Sequence, residues 1–377
     1  MSEIRVNLPE VSYVIKVGSG LLESLGAAVA SCGSPTGVLV VSNPTVARHY
    51  GARVLASLKS SEIRAETATV PAGERYKTLN TVRKIYDSML DAGIDRGGAV
   101  VALGGGVIGD MAGFAAATYM RGIPVYQVPT TLLAQVDASV GGKTGVDLPQ
   151  GKNLVGAFHQ PGAVIIDITT LRTLPARELR CGLAEVVKHG IIRDQEFFHF
   201  LGSHSSDLLA RHADALDYAV VRSVEIKRDV VQQDERESGL RAILNYGHTI
   251  GHAIEVLTGY SSYKHGEAVA IGMVTEALLA ECEGIAQKGT ARAVYDMLKR
   301  MRLPVELDDS LEAADIAEAM QRDKKTLGGR IRFALPEDVG RCSVFEEIEP
   351  GSIRKAIEEH KKWPRNLPAN RPTNRPT

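Results

Sequence analysis

The sequence has no long apolar run, few cysteines and a single tryptophan. No stretch of eighteen apolar residues occurs, and the first segment, MSEIRVNLPE, has no apolar signal core, so we expect neither a membrane span nor an export signal. The four cysteines, Cys32, Cys181, Cys282 and Cys342, form no C-x-x-C pair. This spacing disfavours a zinc ribbon, a redox dithiol and a secreted disulfide framework. We therefore expect a soluble cytoplasmic protein.

The net charge is also close to zero, because the sequence has 44 lysines and arginines and 45 aspartates and glutamates. The protein has no long-range attraction for nucleic acid or an anionic membrane, so local cations must bind any anionic ligand. At 377 residues and 44% hydrophobic composition, the chain is long enough for two domains with separate cores.

Six short β-rich segments alternate with helical patterns in the first half. They read VSYVIKV, GVLVVSN, IRAETATV, AVVALGGG, VYQVP and AVIIDI. Such alternation predicts a largely parallel sheet with helices on both faces. The later pattern is mostly helical, with short strands in GGRIRFALP and CSVFEEI. We predict an α/β domain over 1–175, an α-helical domain over 176–362, and a disordered Pro-rich tail over 363–377.

The segment LGGGVIGD, residues 103–110, follows an apolar strand and places Gly104, Gly106 and Gly109 in G-x-G-x-x-G spacing. These glycines would let backbone N–H groups approach a pyrophosphate at a helix start. The fingerprint also expects an acidic residue about twenty positions later, but the next strand, IPVYQVPTT, has none. Two interpretations stay open: a dinucleotide-binding turn, or a glycine turn that serves only strand–helix packing.

Histidines characterise the second domain. NYGHTIGHAIE places His248 and His252 on one helix face, and YKHGEAVAIGM adds His265 at the next helix start. Two imidazoles one turn apart are a common zinc geometry, which a carboxylate and solvent complete. Glu185 in GLAEVVKHG is a candidate carboxylate. Spacing alone favours His248 and His252 as the ligand pair, and structural histidines are the alternative.

Several cations lie beside glycines and small polar residues. Lys143 in SVGGKTG and Lys152 in GKNLVG are flanked by glycine, which suits binding of a phosphate or carboxylate. For most other lysines, a solvated surface is the simpler interpretation. Further candidates lie in segments that also combine cations with small polar residues: Arg121, Asn153, Lys227, Arg241 and Asn245.

Six segments together resemble bacterial 3-dehydroquinate synthases of the sugar phosphate cyclase superfamily, over about residues 10 to 360. They are GGGVIGDMAGFAAATYMRG, QVPTTLLAQVDASVGGKTGVD, GKNLVGAFHQP, LAEVVKHG, DERESGLRAILNYGHTIGHAIE and HGEAVAIGM. The resemblance implies an α/β N-terminal Rossmann-like NAD-binding domain and an all-α C-terminal domain. It also implies NAD, a divalent metal (zinc or cobalt), a sugar phosphate substrate, a homodimer, and no nucleic-acid or membrane partner.

The family pattern implies which residues bind NAD. The glycine turn would hold the pyrophosphate, and AGERYK would supply the adenosine side. The implied residues are Gly73, Glu74, Arg75, Tyr76, Lys77, Gly106, Val107, Ile108, Gly109, Asp110, Thr130, Thr131, Lys143, Lys152, Thr170, Leu171, Arg172 and Thr173. Two departures from the pattern, Pro44 and Ala72, lie at the adenosine end and bear on NAD affinity only.

The implied metal ligands are Glu185, His248 and His265. This set replaces the choice of His252 by spacing and makes His252 a substrate-side residue. The implied catalytic and substrate-binding residues are Arg121, Asp137, Lys143, Asn153, Lys188, Lys227, Glu237, Arg241, Asn245, His252 and a lysine of DKK, for which Lys324 is the choice and Lys325 stays the alternative. On the phosphate side, the candidates are Arg121, Lys152, Asn153 and Lys324.

The implied reaction converts 3-deoxy-D-arabino-heptulosonate 7-phosphate to 3-dehydroquinate and phosphate, in the shikimate pathway of aromatic amino acid biosynthesis. Transient oxidation by NAD would precede phosphate elimination, reduction and intramolecular aldol closure. The alternatives are another sugar phosphate cyclase, a metal-dependent polyol or glycerol-phosphate dehydrogenase, and a non-catalytic NAD-binding regulator. Arg241, Asn245 and His252 argue against a cyclase substrate without a carboxylate, and the GGKTGVD and GKN segments argue against a dehydrogenase.

Overall fold

The fold is described from a computed structural model, which covers residues 1–325, 331–346 and 348–363. The chain divides into two compact units. The first, here the sheet unit, contains Met1–His189 and Ser206–Arg241, and the second, the helical unit, contains Gly190–Ser205 and Ala242–Thr377. The predicted domain boundary at 175/176 stays a prediction, and of the predicted tail only Trp363 lies within the described residues.

A seven-stranded sheet forms the centre of the sheet unit, in the order β1-β2-β9-β6-β5-β3-β4. Strands β1 and β2 pair antiparallel, and the other pairs are parallel. All six predicted strands are present, whereas β1 was not predicted. The strands of this sheet are β1 (Ser2–Asn7), β2 (Ser12–Gly18), β3 (Val38–Ser42), β4 (Ala65–Thr69), β5 (Ala99–Gly104), β6 (Val125–Pro129) and β9 (Ala163–Asp167).

The central strands are apolar along their whole length because helices cover both faces of the sheet. In β5, Val100 and Ala102 point to a core that includes Ile85 and Met111, from two helices on one face. Val101 and Leu103 point to the opposite core. This period-two division of one strand between two cores confirms the predicted α/β class.

The helices lie between and after these strands. Short 3₁₀ or π-helical segments adjoin several of them, including Ala47–Gly51, Glu74–Tyr76, Ala134–Ala138, Ile168–Thr173 and Leu240–Asn245. The α-helices are α1 (Leu25–Cys32), α2 (Pro44–Val46), α3 (Ala52–Ser60), α4 (Leu79–Asp91), α5 (Gly106–Thr118), α6 (Ala176–Arg193), α7 (Gln195–Ser203), α8 (Ser205–Ala210), α9 (Ala213–Gln233), α10 (His248–Leu257), α11 (His265–Cys282), α12 (Thr290–Arg300), α13 (Ala313–Lys325) and α14 (Pro350–Lys362).

A hairpin of β7 (Lys143–Leu148) and β8 (Gly151–Phe158) contains the GGKTGVD and GKN segments. Sequence periodicity did not predict it, because its glycines interrupt the strand pattern. It packs against α5 at Gly113, where an added Cβ would lie 2.5 Å from Cγ2 of Thr144. A glycine in α5 therefore brings the hairpin close to the helix that follows the glycine turn.

Helix α11 is the buried centre of the helical unit, and α10, α12 and α14 pack against it. The two short strands predicted late in the chain are β10 (Phe333–Asp338) and β11 (Arg341–Phe345), and they pair as an antiparallel hairpin. Within the described residues, no helix is both long and apolar enough to cross a membrane.

Candidate active site

The glycine turn lies at the carboxyl edge of the sheet. Strand β5 ends at Gly104 and α5 begins at Gly106, beside the point where strand order reverses, which is the usual ligand position in such sheets. Gly105 caps α5 without a side-chain hydrogen bond, so the helix start is suited to an anion. A Cβ at Gly109 would lie 2.8 Å from Oε1 of Gln127. The glycines thus serve packing as well, and the two interpretations are compatible.

Lys77 joins the glycine turn to the β7–β8 hairpin. Its Nζ donates to Oδ2 of Asp110 at 2.6 Å and to Oδ1 of Asn153 at 2.5 Å. Burial acts to lower the pKa of Lys77, but the charges of Asp110, Glu74 and Asp147 and the hydrogen bond to Asp110 together raise this pKa. Asn153 has a φ of 54°, a strained value for a non-glycine residue, and its N–H donates to Asp147. Asp147, which the sequence analysis did not select, therefore helps to hold Asn153.

The other residues implied for NAD lie in three segments of the sheet unit. Gly73, with φ of 110°, precedes the turn Glu74–Tyr76. The N–H of Thr130 donates to the carbonyl of Gly104 at 2.9 Å, and an added Cβ at Gly105 would contact Thr131. The third segment is Thr170 to Thr173. Tyr50 hydrogen-bonds to its first carbonyl and its last hydroxyl, Leu171 is buried, and Arg172 is exposed.

Asp137 lies in the π-helical segment Ala134–Ala138, a geometry frequent at functional sites. It is ion-paired with Lys227 of α9 at 2.6 Å. Burial acts to raise the pKa of Asp137, but the charges of Lys227 and Lys188 hold it well below the usual range. Lys188 is itself fully buried and forms an ion pair with Glu185 on α6. The structure thus brings together four of the predicted residues.

A second part of this cluster contains Lys143, Glu237 and Arg241. Lys143 forms an ion pair with Glu237, whose φ is 59°. Burial, with the nearby charges of Arg241 and Lys227, lowers the pKa of Lys143 to about 8. Arg241 is buried and donates to the carbonyls of Gly141 and Glu235. This concentration of cations suits a ligand that carries phosphate or carboxylate groups.

Two residues at this cluster were missed by the sequence analysis. The hydroxyl of Tyr13 accepts the N–H of Gly141 at 3.3 Å. Asp234 accepts the N–H groups of Ser238, Gly239 and Arg241 and so shapes the segment before Arg241. The sequence offered a sign of this turn only for Asp234, which begins the segment DERESGL and lies four residues before Ser238 of the Ser-Gly pair.

Arg121 is not part of this cluster. It follows α5, which begins at the carboxyl edge of the sheet and spans roughly 20 Å towards the other edge. Arg121 is exposed there, with a φ of 71°. Its predicted role in substrate binding stays a prediction, as does that of Lys324, whose side chain lies outside the described part of α13.

The helical unit brings three histidines together. Ring centroids are 5.2 Å apart for His248 and His265, 5.4 Å for His248 and His252, and 5.9 Å for His252 and His265. Geometry within this unit is therefore compatible with either histidine pair as metal ligands. Glu185 belongs to the sheet unit, and its place in the ligand set stays a prediction, whereas the predicted residue Asn245 ends the 3₁₀ segment before His248.

The partners of the rings distinguish these histidines. Nδ1 of His248 lies 3.2 Å from the carbonyl of Tyr246, and Nδ1 of His265 lies 3.6 Å from Oε2 of the buried Glu255. An Nδ1–H that faces an acceptor leaves the lone pair on Nε2 for a metal. Ligand atoms of His252, Glu255 and His265 also lie within 4.8 Å of one another. The same glutamate could thus orient His265 or compete for an ion.

Comparison with known proteins identifies the family. The sequence models of the 3-dehydroquinate synthase N-terminal and C-terminal regions match residues 67–181 and 182–326. The 3-dehydroquinate synthase of Nostoc punctiforme is 49% identical over 359 residues, which is 95% of this chain and 99% of that protein. The chain belongs to the 3-dehydroquinate synthase family. The resemblance inferred from its motifs, and the enzyme class that this implied, are confirmed.

Solved structures place the 3-dehydroquinate synthase fold among the sugar phosphate cyclases. A Streptomyces hygroscopicus 2-epi-5-epi-valiolone synthase with NAD⁺ and Zn²⁺ bound has a TM-score of 0.86 and 31% identity, covering 94% of this chain and 98% of that one. A 2-deoxy-scyllo-inosose synthase complexed with carbaglucose-6-phosphate, NAD⁺ and Co²⁺ has a TM-score of 0.87 and 26% identity, covering 95% and 100%. The predicted fold class is thereby confirmed.

The alternatives fit the 3-dehydroquinate synthase family relationship less well. Identity to the two cyclases is well below the 49% shared with the Nostoc enzyme. A probable glycerol dehydrogenase from Sinorhizobium meliloti is 18% identical, with a TM-score of 0.63, over 92% of this chain and 96% of that one. That likeness shows a shared fold alone.

Proposed function

We propose that this enzyme converts 3-deoxy-D-arabino-heptulosonate 7-phosphate to 3-dehydroquinate and phosphate, with NAD and one divalent zinc or cobalt ion. The observation that carries this proposal is 49% identity to a 3-dehydroquinate synthase across 95% of the chain. The names of two similar structures, which include NAD⁺ with Zn²⁺ or Co²⁺, support the cofactors. We extend the proposal to the shikimate pathway, a cytoplasmic location and a homodimer.

The residues present fit both cofactors. The uncapped start of α5, which follows Gly104 and Gly105 and begins with Gly106, suits the pyrophosphate of NAD, and Lys77 with Asp110 lies next to it. Two imidazoles with Nδ1 directed to acceptors suit a zinc or cobalt ion. When bound, these groups supply reversible oxidation and polarisation of a substrate oxygen. We assign the metal to Glu185, His248 and His265.

The remaining residues bind and orient the substrate. Lys152 and Asn153 lie in the hairpin beside Lys77, and we assign them to the phosphate that leaves. Lys143 and Arg241 provide cations for the carboxylate and hydroxyls of the substrate. The ion pair of Asp137 and Lys227 belongs to the same cluster of side chains. Such contacts position the ring for successive steps within one site.

The test is a comparison of phosphate release with NADH accumulation. The full-length enzyme is incubated with the heptulosonate phosphate, Zn²⁺ and NAD at a small fraction of the substrate concentration. A cyclase returns the reducing equivalent to its own intermediate, so we expect phosphate to exceed NADH many-fold while absorbance near 340 nm stays low. NADH formed in proportion to substrate consumed would establish a dehydrogenase instead, and no phosphate release would contradict the proposal.

A further inference from the structure

Glu276 of α11 is a fully buried carboxylate that no step above uses. Its Oε2 accepts the N–H of Gly247 at 2.6 Å, and its Oε1 accepts the N–H of Ile250 at 3.0 Å. The groups that act on it are the backbone amides of Ile250, Gly247 and Thr249 rather than cations, and burial raises its pKa to about 8. Both oxygens are therefore committed to the start of one helix, α10.

Helix α10 needs this external partner because its own cap position has no side chain. Gly247 precedes α10 with a φ of 81°, and an added Cβ there would lie 2.4 Å from Cγ of Met273 and 2.8 Å from the carbonyl oxygen of Val269. A serine or aspartate cap, which would normally bind the first N–H groups, is excluded by this packing. Glu276 supplies the missing acceptor oxygens from the neighbouring helix.

The first residue of α10 is His248, between the two amides that Glu276 binds. Nδ1 of His248 is directed to the carbonyl of Tyr246, so the orientation of the ring depends on the backbone at this point. Helix α11 itself begins with His265. Helix α11 thus carries His265 and, through Glu276, fixes the backbone on both sides of His248.

We propose that Glu276 is a positioning residue for the metal centre, because it fixes His248 of α10 relative to His265 of α11 through the amides of Gly247 and Ile250. The inference rests on the proposed role of His248 and His265 as metal ligands. The metal would not contact Glu276.

The variant Glu276→Gln tests this because it keeps the size of the side chain. An amide has one acceptor oxygen, so its NH₂ group must face one of the two N–H donors. Co²⁺ alone is titrated into the metal-free, full-length protein, and its visible absorption is recorded. We expect Co²⁺ affinity to fall by about 10- to 100-fold, as for other partners of metal ligands. The absorption bands of bound Co²⁺ should change, and kcat should fall while KM changes less.

Thr275→Val is the matched control. Thr275 is the adjacent residue of α11, is also buried, and hydrogen-bonds to Nδ1 of His360 at 2.8 Å rather than to α10. We expect this variant to lose thermal stability but to keep the Co²⁺ affinity and spectrum of the wild type. Equal losses of Co²⁺ affinity in both variants would show a general effect of unfolding and overturn the inference.

Comparison of the wild type with His248→Ala distinguishes the proposed metal site from the proposed role of Glu276. If Co²⁺ binding to the wild type does not depend on His248, the proposed metal site fails. If it does depend on His248 while Glu276→Gln binds Co²⁺ with wild-type affinity and spectrum, the positioning role of Glu276 fails and the metal site stands.

Discussion

The two units compensate their buried titratable groups in different ways. In the sheet unit, Asp137 faces Lys227, and Glu185 faces Lys188. In the helical unit, the buried Glu276 faces backbone amides, and His360 is held by Thr275 and the carbonyl of Val305. These residues of the first unit therefore meet opposite charges and those of the second meet neutral dipoles, although Asp234 of the sheet unit also accepts backbone N–H groups.

This difference has a measurable electrostatic result. Burial acts to raise the pKa of any carboxyl group. Cations outweigh that effect at Asp137, whose pKa lies well below the usual range, whereas amides do not at Glu276, whose pKa is about 8. A cationic environment suits anionic substrate groups, and neutral imidazoles suit a metal ion. These environments fit the proposed binding of anionic substrate groups in the sheet unit and the proposed role of two histidines of the helical unit as metal ligands.

The largest expected effect is at the proposed metal ligands. His248→Ala should lose bound metal and activity together, with affinity reduced by more than about 100-fold, because a ligand contributes more than its hydrogen-bond partner does. Metal analysis of the purified variant and turnover measured at saturating Zn²⁺ check this. Full metal occupancy in His248→Ala would contradict the assignment.

His252→Ala is the matched control on the next turn of the same helix. As a substrate-side residue, His252 should be dispensable for metal binding, so this variant should keep most of its metal while it loses turnover. Loss of metal from His252→Ala would restore the pair chosen by spacing alone, His248 and His252.

A smaller effect is expected where an ion pair of the sheet unit is broken. Lys227→Met removes the ion-pair partner of Asp137 and leaves it with the charge of Lys188, and the loss of such a partner costs about 3 kcal/mol at the lower end of the observed range. The lower end applies because the Asp137 side chain is 28% exposed. Unfolding in urea measures the loss. The double variant Asp137→Asn/Lys227→Met should recover much of it, and equal stability of single and double variants would contradict the role of the pair.

The smallest effect concerns two buried histidines. His189 in the sheet unit has no hydrogen-bond partner for either ring nitrogen within the described residues, and burial lowers its pKa to about 3. His360 has two partners, and burial lowers its pKa to about 4. The unfolded chain binds protons near pH 6.5 and the folded protein does not, so stability is present above pH 6.5 and is lost as pH falls towards these values.

Each histidine should account for about 2 kcal/mol of the stability lost between pH 7 and pH 5. His189→Leu should remove that share without lowering stability at pH 7, since it breaks no hydrogen bond. His360→Leu should also lower stability at pH 7, because it leaves Thr275 and Val305 without their partner. Urea unfolding at both pH values provides the measurement. An unchanged pH dependence in His189→Leu would show that this imidazole is protonated in the folded protein.

The sequence by itself determined the elements whose signals are local. Apolar strands such as β5, the helix after the glycine turn and the family motifs could be recognised because the pattern of neighbouring residues encodes them. The same motifs identified the family, and the site residues that they imply stay predictions. The hairpin β7–β8 was not predicted, since Gly145 and Gly156, which allow its two strands to approach closely, weaken the strand pattern.

Only the tertiary structure decided which remote side chains meet. Lys77 and Asn153 are 76 positions apart, Asp137 and Lys227 are 90 apart, and Glu276 binds an amide 29 positions earlier. Periodicity reports which face of an element is buried, but not which polar group of another element lies opposite. That choice depends on helix and strand packing across the fold, so the role of Glu276 became visible only where α10 meets α11.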